Sequence, residues 1–198
     1  MKLIEKGFIK RNKDMLIIIT CLFVLSMFVG LIMGYISVGG NVGQISQAFA
    51  NLPKEQIPHY TDTGLSSLDF FTHNFTVDVI TLVGGLLFSV ISVIVFVFNA
   101  ISIGAPFGSD FAFACTSIIP HGIFEYSASI LALAAAFIIT KIEIRIIRNR
   151  NFKNTLTESK TELKDMLVFI IMSIILLIIA AVIEANITTL VIQLVYGL

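Results

Sequence analysis

Apolar residues come in long runs along this chain, and polar segments of two kinds separate them. Residues 15–38 hold the roughly 20 apolar positions that a helix needs to cross hydrocarbon, so they predict a first membrane span. A polar stretch over 39–73 follows, with Gly39-Gly40, Pro53 and Pro58. Within it Ile45, Ala48, Phe49 and Leu52 recur at i, i+3, i+4 and i+7, which predicts an amphipathic helix at the membrane interface. Leu65 and Leu68 suggest a second short one, and a stretch of this size cannot build a core of its own. Residues 75–98 predict a second span. Residues 99–117 are apolar and lack Lys and Arg, but they contain Gly104, Pro106, Gly108 and Asp110. A broken helix, a re-entrant hairpin and a short span all fit that pattern. Apolar runs over 120–140 and 166–190 complete the set. In the polar segment between them the helix is expected to end near Arg148-Asn149-Arg150-Asn151. There Thr155-x-x-Glu158 and Ser159-x-x-Glu162 have the form of capping boxes leading into the last span.

Composition agrees with a membrane protein. Mean hydropathy is +0.96, and 13% of residues are charged against about 25% in soluble domains. All the basic residues but Lys54 fall into two clusters: Lys2, Lys6, Lys10, Arg11 and Lys13 at the N-terminus, and Lys141, Arg145, Arg148, Arg150, Lys153, Lys160 and Lys164 in one loop. Both clusters belong on the cytoplasmic side by the positive-inside rule. An even number of crossings must then separate them, which is met when 101–118 counts as a span. The expectation is an all-α, polytopic transmembrane helical bundle of about five spans with short interfacial helices. Residues 1–198 would form a single integral membrane domain, with the N-terminus cytoplasmic and the C-terminus outside. Residues 1–14, with Leu3, Ile4 and Phe8, suit a short helix on the inner surface. Ala48-Phe49-Ala50 resembles a cleavage triplet, but it lies far beyond an apolar run longer than a signal core, so the first run reads as a retained span. Cys21 and Cys115 lie at different depths and read as packing residues, not a disulfide. The basic clusters flank spans and lack an aromatic platform, so nucleic acid is not an expected partner.

Four acidic residues fall within the apolar runs: Asp78, Asp110, Glu125 and Glu184. No Lys or Arg shares a predicted span with them. Ionisable groups in hydrocarbon cost several kcal/mol unless they pair or face water. His121 and Glu125 are four apart and share a helix face. With Asp78, Glu184, His73 and Asn74 they fall in the outer half of the predicted bundle. Such a set suits a cation, a proton relay or a divalent metal held by His121, Glu125 and Glu184. It also suits plain polar packing between helices. Asp78 and Asn74, four apart, read as an end cap of the second span, and Asp110 as a turn or water-facing residue. Pro120 at a helix start and Gly122 at a close approach are architectural. Asn74-Phe75-Thr76 and Asn186-Ile187-Thr188 match glycosylation sequons but lie against the membrane. Neither an internal repeat nor a Walker, GxSxG, HExxH or dinucleotide-binding motif occurs.

The stretch Pro120-His121-Gly122-Ile123-Phe124-Glu125 resembles the PHGxxE signature of the stage II sporulation protein M family. Phe98-Asn99-Ala100 followed by Gly104 resembles that family's Asn-Gly stretch, with Ala100 where the family often has Gly. Phe71-Thr72-His73-Asn74 resembles the start of its second span, and Ile183-Glu184-Ala185 its last span. The resemblance runs over about 70–190 and extends to Asn74, Asn99, Gly104, Pro120, His121, Gly122, Glu125 and Glu184. It implies a multispan plasma-membrane protein that acts as an anchor or scaffold for partner proteins.

Three functions compete at this stage. The first is a non-enzymatic scaffold embedded in the lipid bilayer, working with other membrane or envelope proteins or with further copies of itself. The second is a transporter or ion-binding protein using His121, Glu125 and Glu184. The third is an intramembrane metal-dependent hydrolase, which would need a third ligand and an accessible metal. The sequence favours the first narrowly. It names no catalytic residue, and a divalent metal is the cofactor it would accommodate.

Overall fold

The computed structural model describes residues 6–51 and 66–196, and no strand occurs among them. Helix α1 (Phe8–Ser37) is followed by a short α2 (Gln44–Asn51). Next come α3 (Ser67–Val83), α4 (Val90–Ser109) and a short α5 (Phe111–Ser117). The chain continues through α6 (Ile119–Asn149), α7 (Phe152–Glu158), α8 (Lys160–Ile183) and α9 (Thr189–Tyr196). Four segments are long and apolar enough to cross a membrane: Phe8–Ser37, Ser67–Leu87, Val90–Ser109 and Lys160–Tyr196. The fifth long helix, α6, runs through their middle.

Small residues put α6 at the centre. Ala128, Ala132, Ala134, Ala135 and Ala136, with Leu133, are buried on every side of the helix. Without bulky side chains its neighbours approach closely, which is how helices associate where lipid is as apolar as leucine. The large residues point outward instead: Ile18, Leu25, Phe28, Phe98, Ile175 and Ile178 are all exposed. That inside-out distribution follows from a solvent made of hydrocarbon.

Helices α1 and α4 form the tightest pair. A Cβ added at Gly30 or Gly34 would overlap the carbonyl of Ile101 or Ala105. One added at Gly104 or Gly108 would overlap that of Met27 or Leu31. Each helix thus carries a Gly-x-x-x-Gly step against the other's backbone, and the two run parallel. Helix α6 runs antiparallel to α8, with His121 near Glu184 at one end and Arg145 on Glu162 at the other. Helix α3 runs alongside α6, matching Asp78 with Ser129 and Gly85 with Thr140.

Three expectations need correction. The span placed over 75–98 is cut in its middle. After α3 a 3-10 turn, Gly84–Leu87, leads to Phe88 and Ser89, both with left-handed backbone, and the chain reverses into α4. No charged residue marks this reversal. Gly84 and Gly85 permit it because a Cβ on either would meet Ser92 or Ala136 at under 3 Å. Ser89 then bonds Thr140 at 2.6 Å and Ser92 donates to the Thr81 carbonyl at 2.6 Å, so the turn is sewn to its neighbours. Consequently Asn99, Gly104 and Pro106 lie within a continuous α4, the helix breaks only at Asp110 before α5, and the span counted over 101–118 runs instead over Val90–Ser109. The short helix expected over residues 1–14 does not form as a separate element among the described residues, where 8–14 extend α1 without interruption; Leu3 and Ile4 lie outside the described residues. Finally, neither capping box forms. Thr155 is inside α7, and Ser159 and Glu162 are both taken by Arg145, at 2.7 and 2.8 Å. A capping box does form at the start of α3, between Ser66 and Asp69. The amphipathic helix expected around Ile45 is α2, whereas Leu65 lies outside the described residues and Leu68 belongs to α3.

Candidate functional site

Two polar ends close the bundle. At one, Asp165 at the start of α8 is buried and accepts both guanidinium arms of Arg11, at 2.7 and 2.9 Å, and the Asn12 amide at 2.9 Å. Arg145 and Lys141 pair with Glu162 at 2.8 and 3.5 Å. These ties fasten α1 and α6 to α8, while one buried carboxylate oxygen of Glu143 has no hydrogen-bond partner among the described residues.

At the opposite end the acids of the cleft form no ion pair with Lys or Arg among the described residues. Helix α6 begins with Pro120 in its first turn and places His121 and Glu125 on one face. The end of α8 widens into a π-helical turn, Glu184–Thr188, a feature that recurs at functional sites. From that turn both Glu184 and Thr188 reach His121. Thr188 Oγ1 lies 3.1 Å from His121 Nδ1. The other ring nitrogen, Nε2, faces Glu125 Oε2 at 3.9 Å and Glu184 Oε1 at 3.8 Å. One ligand atom from each of the three side chains lies within 4.8 Å of the others. These separations exceed a hydrogen bond, which spans about 2.7–3.2 Å. A four-coordinate ion with bonds of about 2.0–2.2 Å needs its ligands about 3.4 Å apart, so the two histidine gaps would close by a few tenths of an ångström to seat one, with the three ligand atoms drawn together from within 4.8 Å. Thr188 completes the arrangement. With Nδ1–H donating to its hydroxyl, Nε2 presents a lone pair to the gap, the orientation in which metal-ligating histidines are normally held.

The trio lines a cleft of about 500 Å³ with Asn74, Tyr126 and, towards the rim, Asp69 and His73. Among the described residues of that lining there is no Lys or Arg. Asn74 from α3 is the side-chain hydrogen-bonding neighbour of Glu125.

The predicted site therefore separates into parts. His121, Glu125, Glu184 and Asn74 converge. Asp78 does not join them and caps nothing. It is buried deeper, accepting from Ser129 at 2.9 Å and Ser173 at 2.8 Å, and so it ties α3, α6 and α8 together. Asp110 does not face water either: it is 2% exposed and accepts from the Phe113 amide at the start of α5 and the Ser46 amide of α2, at 3.1 and 2.6 Å. Burial works against its charge, but these amides outweigh burial and hold its carboxyl below the usual range. Asn99 does not line the cleft, and Gly104 serves the α1–α4 contact. Gly122 makes room for a ring: a Cβ there would meet Tyr126 Cζ and Oη at 2.7 Å. Thr188 and Tyr126 were missed in the sequence, although Thr188 stands four residues after Glu184 and Tyr126 four after Gly122. Cys21 and Cys115 are both free.

Comparison with protein families adds a further observation. The family model described as stage II sporulation protein M matches residues 20–189. The chain belongs to that family. The match spans α1 to the start of α9, so the family's extent includes both the α1–α4 glycine contact and the His121 trio. No curated protein and no solved structure matches the chain. This stage II sporulation protein M family member is a multi-pass helical membrane protein with a polar cleft at one end of its bundle.

Proposed function

We propose that this chain is a plasma-membrane protein that binds a divalent cation in its end cleft, through His121, Glu125 and Glu184. One observation carries the reading: His121 Nε2, on a side chain only 9% exposed, confronts two carboxylates across gaps of 3.8 and 3.9 Å. Two carboxylates and a lone pair turned toward one point repel unless something positive lies between them. Imidazole and carboxylate together suit zinc or manganese better than calcium, which takes oxygen alone. The Arg11 and Arg145 end would face the cytoplasm, because the clustered bases belong inside, and the cleft would open outward.

Metal content of the detergent-purified protein tests the proposal, with His121→Ala and Glu125→Gln beside the wild type. Near-stoichiometric metal, lost in both variants, is the expected outcome. A wild type that neither retains nor takes up a divalent ion would sink the cation reading. Cysteine labelling near Arg148 tests the orientation: reaction only from the outside would reverse it.

A second reading, an anchor for envelope partners, is supported by the shelf beside the cleft. Gly43 donates to the Ser109 carbonyl at 3.0 Å and Ser46 to Asp110, which holds α2 against the bundle with Val42 and Ile45 exposed. Crosslinking from position 45 would capture a partner protein if this shelf docks one, and only lipid if it does not.

A further inference from the structure

A second cleft, of about 510 Å³, lies towards the other end of α6, between that helix, α7 and the first turns of α8. Ile139, Ile142 and Ile146 recur at helical spacing along α6 and form one apolar wall, joined by Leu156 of α7 and Met166 of α8. Glu143 is the one charged side chain among the described residues of this lining. The residue is half-buried, and its Oε2 is cut off from water with no hydrogen-bond partner among the described residues. Its neighbours along the helix, Lys141 and Arg145, both turn to Glu162 instead. An acceptor without a donor in an apolar wall calls for an explanation.

Depth in the bilayer indicates what supplies the donor. At 1.5 Å per residue, Glu143 stands about 33 Å along α6 from His121. The hydrocarbon layer is about 30 Å thick. With His121 at one boundary of the bilayer, Glu143 reaches the other, level with the lipid headgroups. Ile147 and Phe152 line the same cleft and are exposed, so its mouth opens onto lipid. The terminal torsion of a glutamate is broad and roughly two-fold, so either oxygen can turn to a ligand in the cleft. A carboxylate beside an apolar trough at headgroup depth complements a cation carried on an acyl chain. Phe152 is followed in the sequence by exposed Lys153 and preceded by exposed Arg150, so positive charge is at hand for the phosphate of the same headgroup.

We infer that this cleft binds a phospholipid whose headgroup ends in a primary ammonium, the ammonium donating to Glu143 and one acyl chain lying along Ile139, Ile142 and Ile146. A primary ammonium has three N–H donors for a carboxylate. The trimethylammonium of a choline headgroup carries the same charge and has none. The cleft therefore distinguishes the two headgroups by hydrogen bonding, not by charge. It shares no lining residue with the His121 cleft and does not depend on a cation there.

The test is native mass spectrometry of the full-length, detergent-purified protein titrated with phosphatidylethanolamine or with phosphatidylcholine of the same acyl chains. The expected result is one phosphatidylethanolamine bound about three- to tenfold more tightly than phosphatidylcholine, the weight of one charge-assisted hydrogen bond at a half-open site. Glu143→Gln keeps the shape of the side chain and should bring phosphatidylethanolamine close to the phosphatidylcholine level, leaving phosphatidylcholine binding unchanged. Glu143→Leu suits the apolar wall, should fold at least as well as the wild type, and should abolish the preference altogether. Equal affinity for the two lipids in the wild type, or a preference that survives Glu143→Leu, would overturn the inference and leave the carboxylate to a basic side chain of a partner protein.

Discussion

The two ends of the bundle use the same kinds of side chain to opposite effect. At the basic end Asp165 is matched atom for atom by Arg11 and Asn12 within 2.9 Å. At the cleft end Glu125 and Glu184 stand 3.9 and 3.8 Å from a histidine nitrogen, beside an open space. A satisfied network is structural: it closes helices onto one another and has no capacity to spare. A network with gaps retains capacity for a ligand.

That contrast can be broken by substitution. Asp165→Ala should have the largest effect on folding, about 3 kcal/mol, because it strands Arg11 and Asn12 without their acceptor. Chemical denaturation in detergent would measure it, and a loss below about 1 kcal/mol would mean the basic end is no tighter than a surface pair. His121→Ala should instead leave the metal-free protein close to wild type and abolish its stabilisation by zinc. At a hundredfold excess over Kd that stabilisation amounts to about 2.7 kcal/mol. A thermal shift that survives the substitution would move the ion elsewhere. Thr188→Val sharpens the comparison, since it removes only the partner of His121 Nδ1. Zinc affinity should fall by about 10- to 100-fold, the usual cost of losing such an outer partner. No change by competition with a chelating dye would reduce Thr188 to packing.

The smallest effect belongs to the shelf. The folded Asp110 carboxyl lies below its unfolded value of about 3.9, so its contribution is present above that pH and is lost as pH falls through the folded value. Asp110→Asn should cost about 1 kcal/mol locally, seen as faster hydrogen exchange at the Ser46 amide at neutral pH, and the difference from wild type should shrink in acid. A difference that persists unchanged in acid would rule out the charge as its source.

Much of this was legible in the sequence, and the remainder has physical reasons for hiding. Apolar run length announces a membrane bundle, and His121 with Glu125 announces its own helix face. The reversal at Phe88–Ser89 stayed hidden because a turn sewn by Ser89, Ser92 and Thr140 needs no charged or strongly polar residue. Pro106 and the glycines of α4 suggested a break that comes only after them, at Asp110. In lipid, Gly104 and Gly108 are contact surfaces. Asp78 shared a helix face with Asn74 but not a site, because its serine partners Ser129 and Ser173 come from two other helices and no spacing connects them.

The glycine pairing of α1 with α4 also sets a timetable for biogenesis. Gly30 is synthesised well before Gly104, and at about 5–20 residues per second the interval is several seconds. Throughout it α1 stands in the bilayer with its groove open to acyl chains, while α3 must enter and reverse before the matching surface exists. An insertase that shelters α1 would shorten that exposure, and a ribosome that stalls before α4 would leave a span ready to take a wrong neighbour.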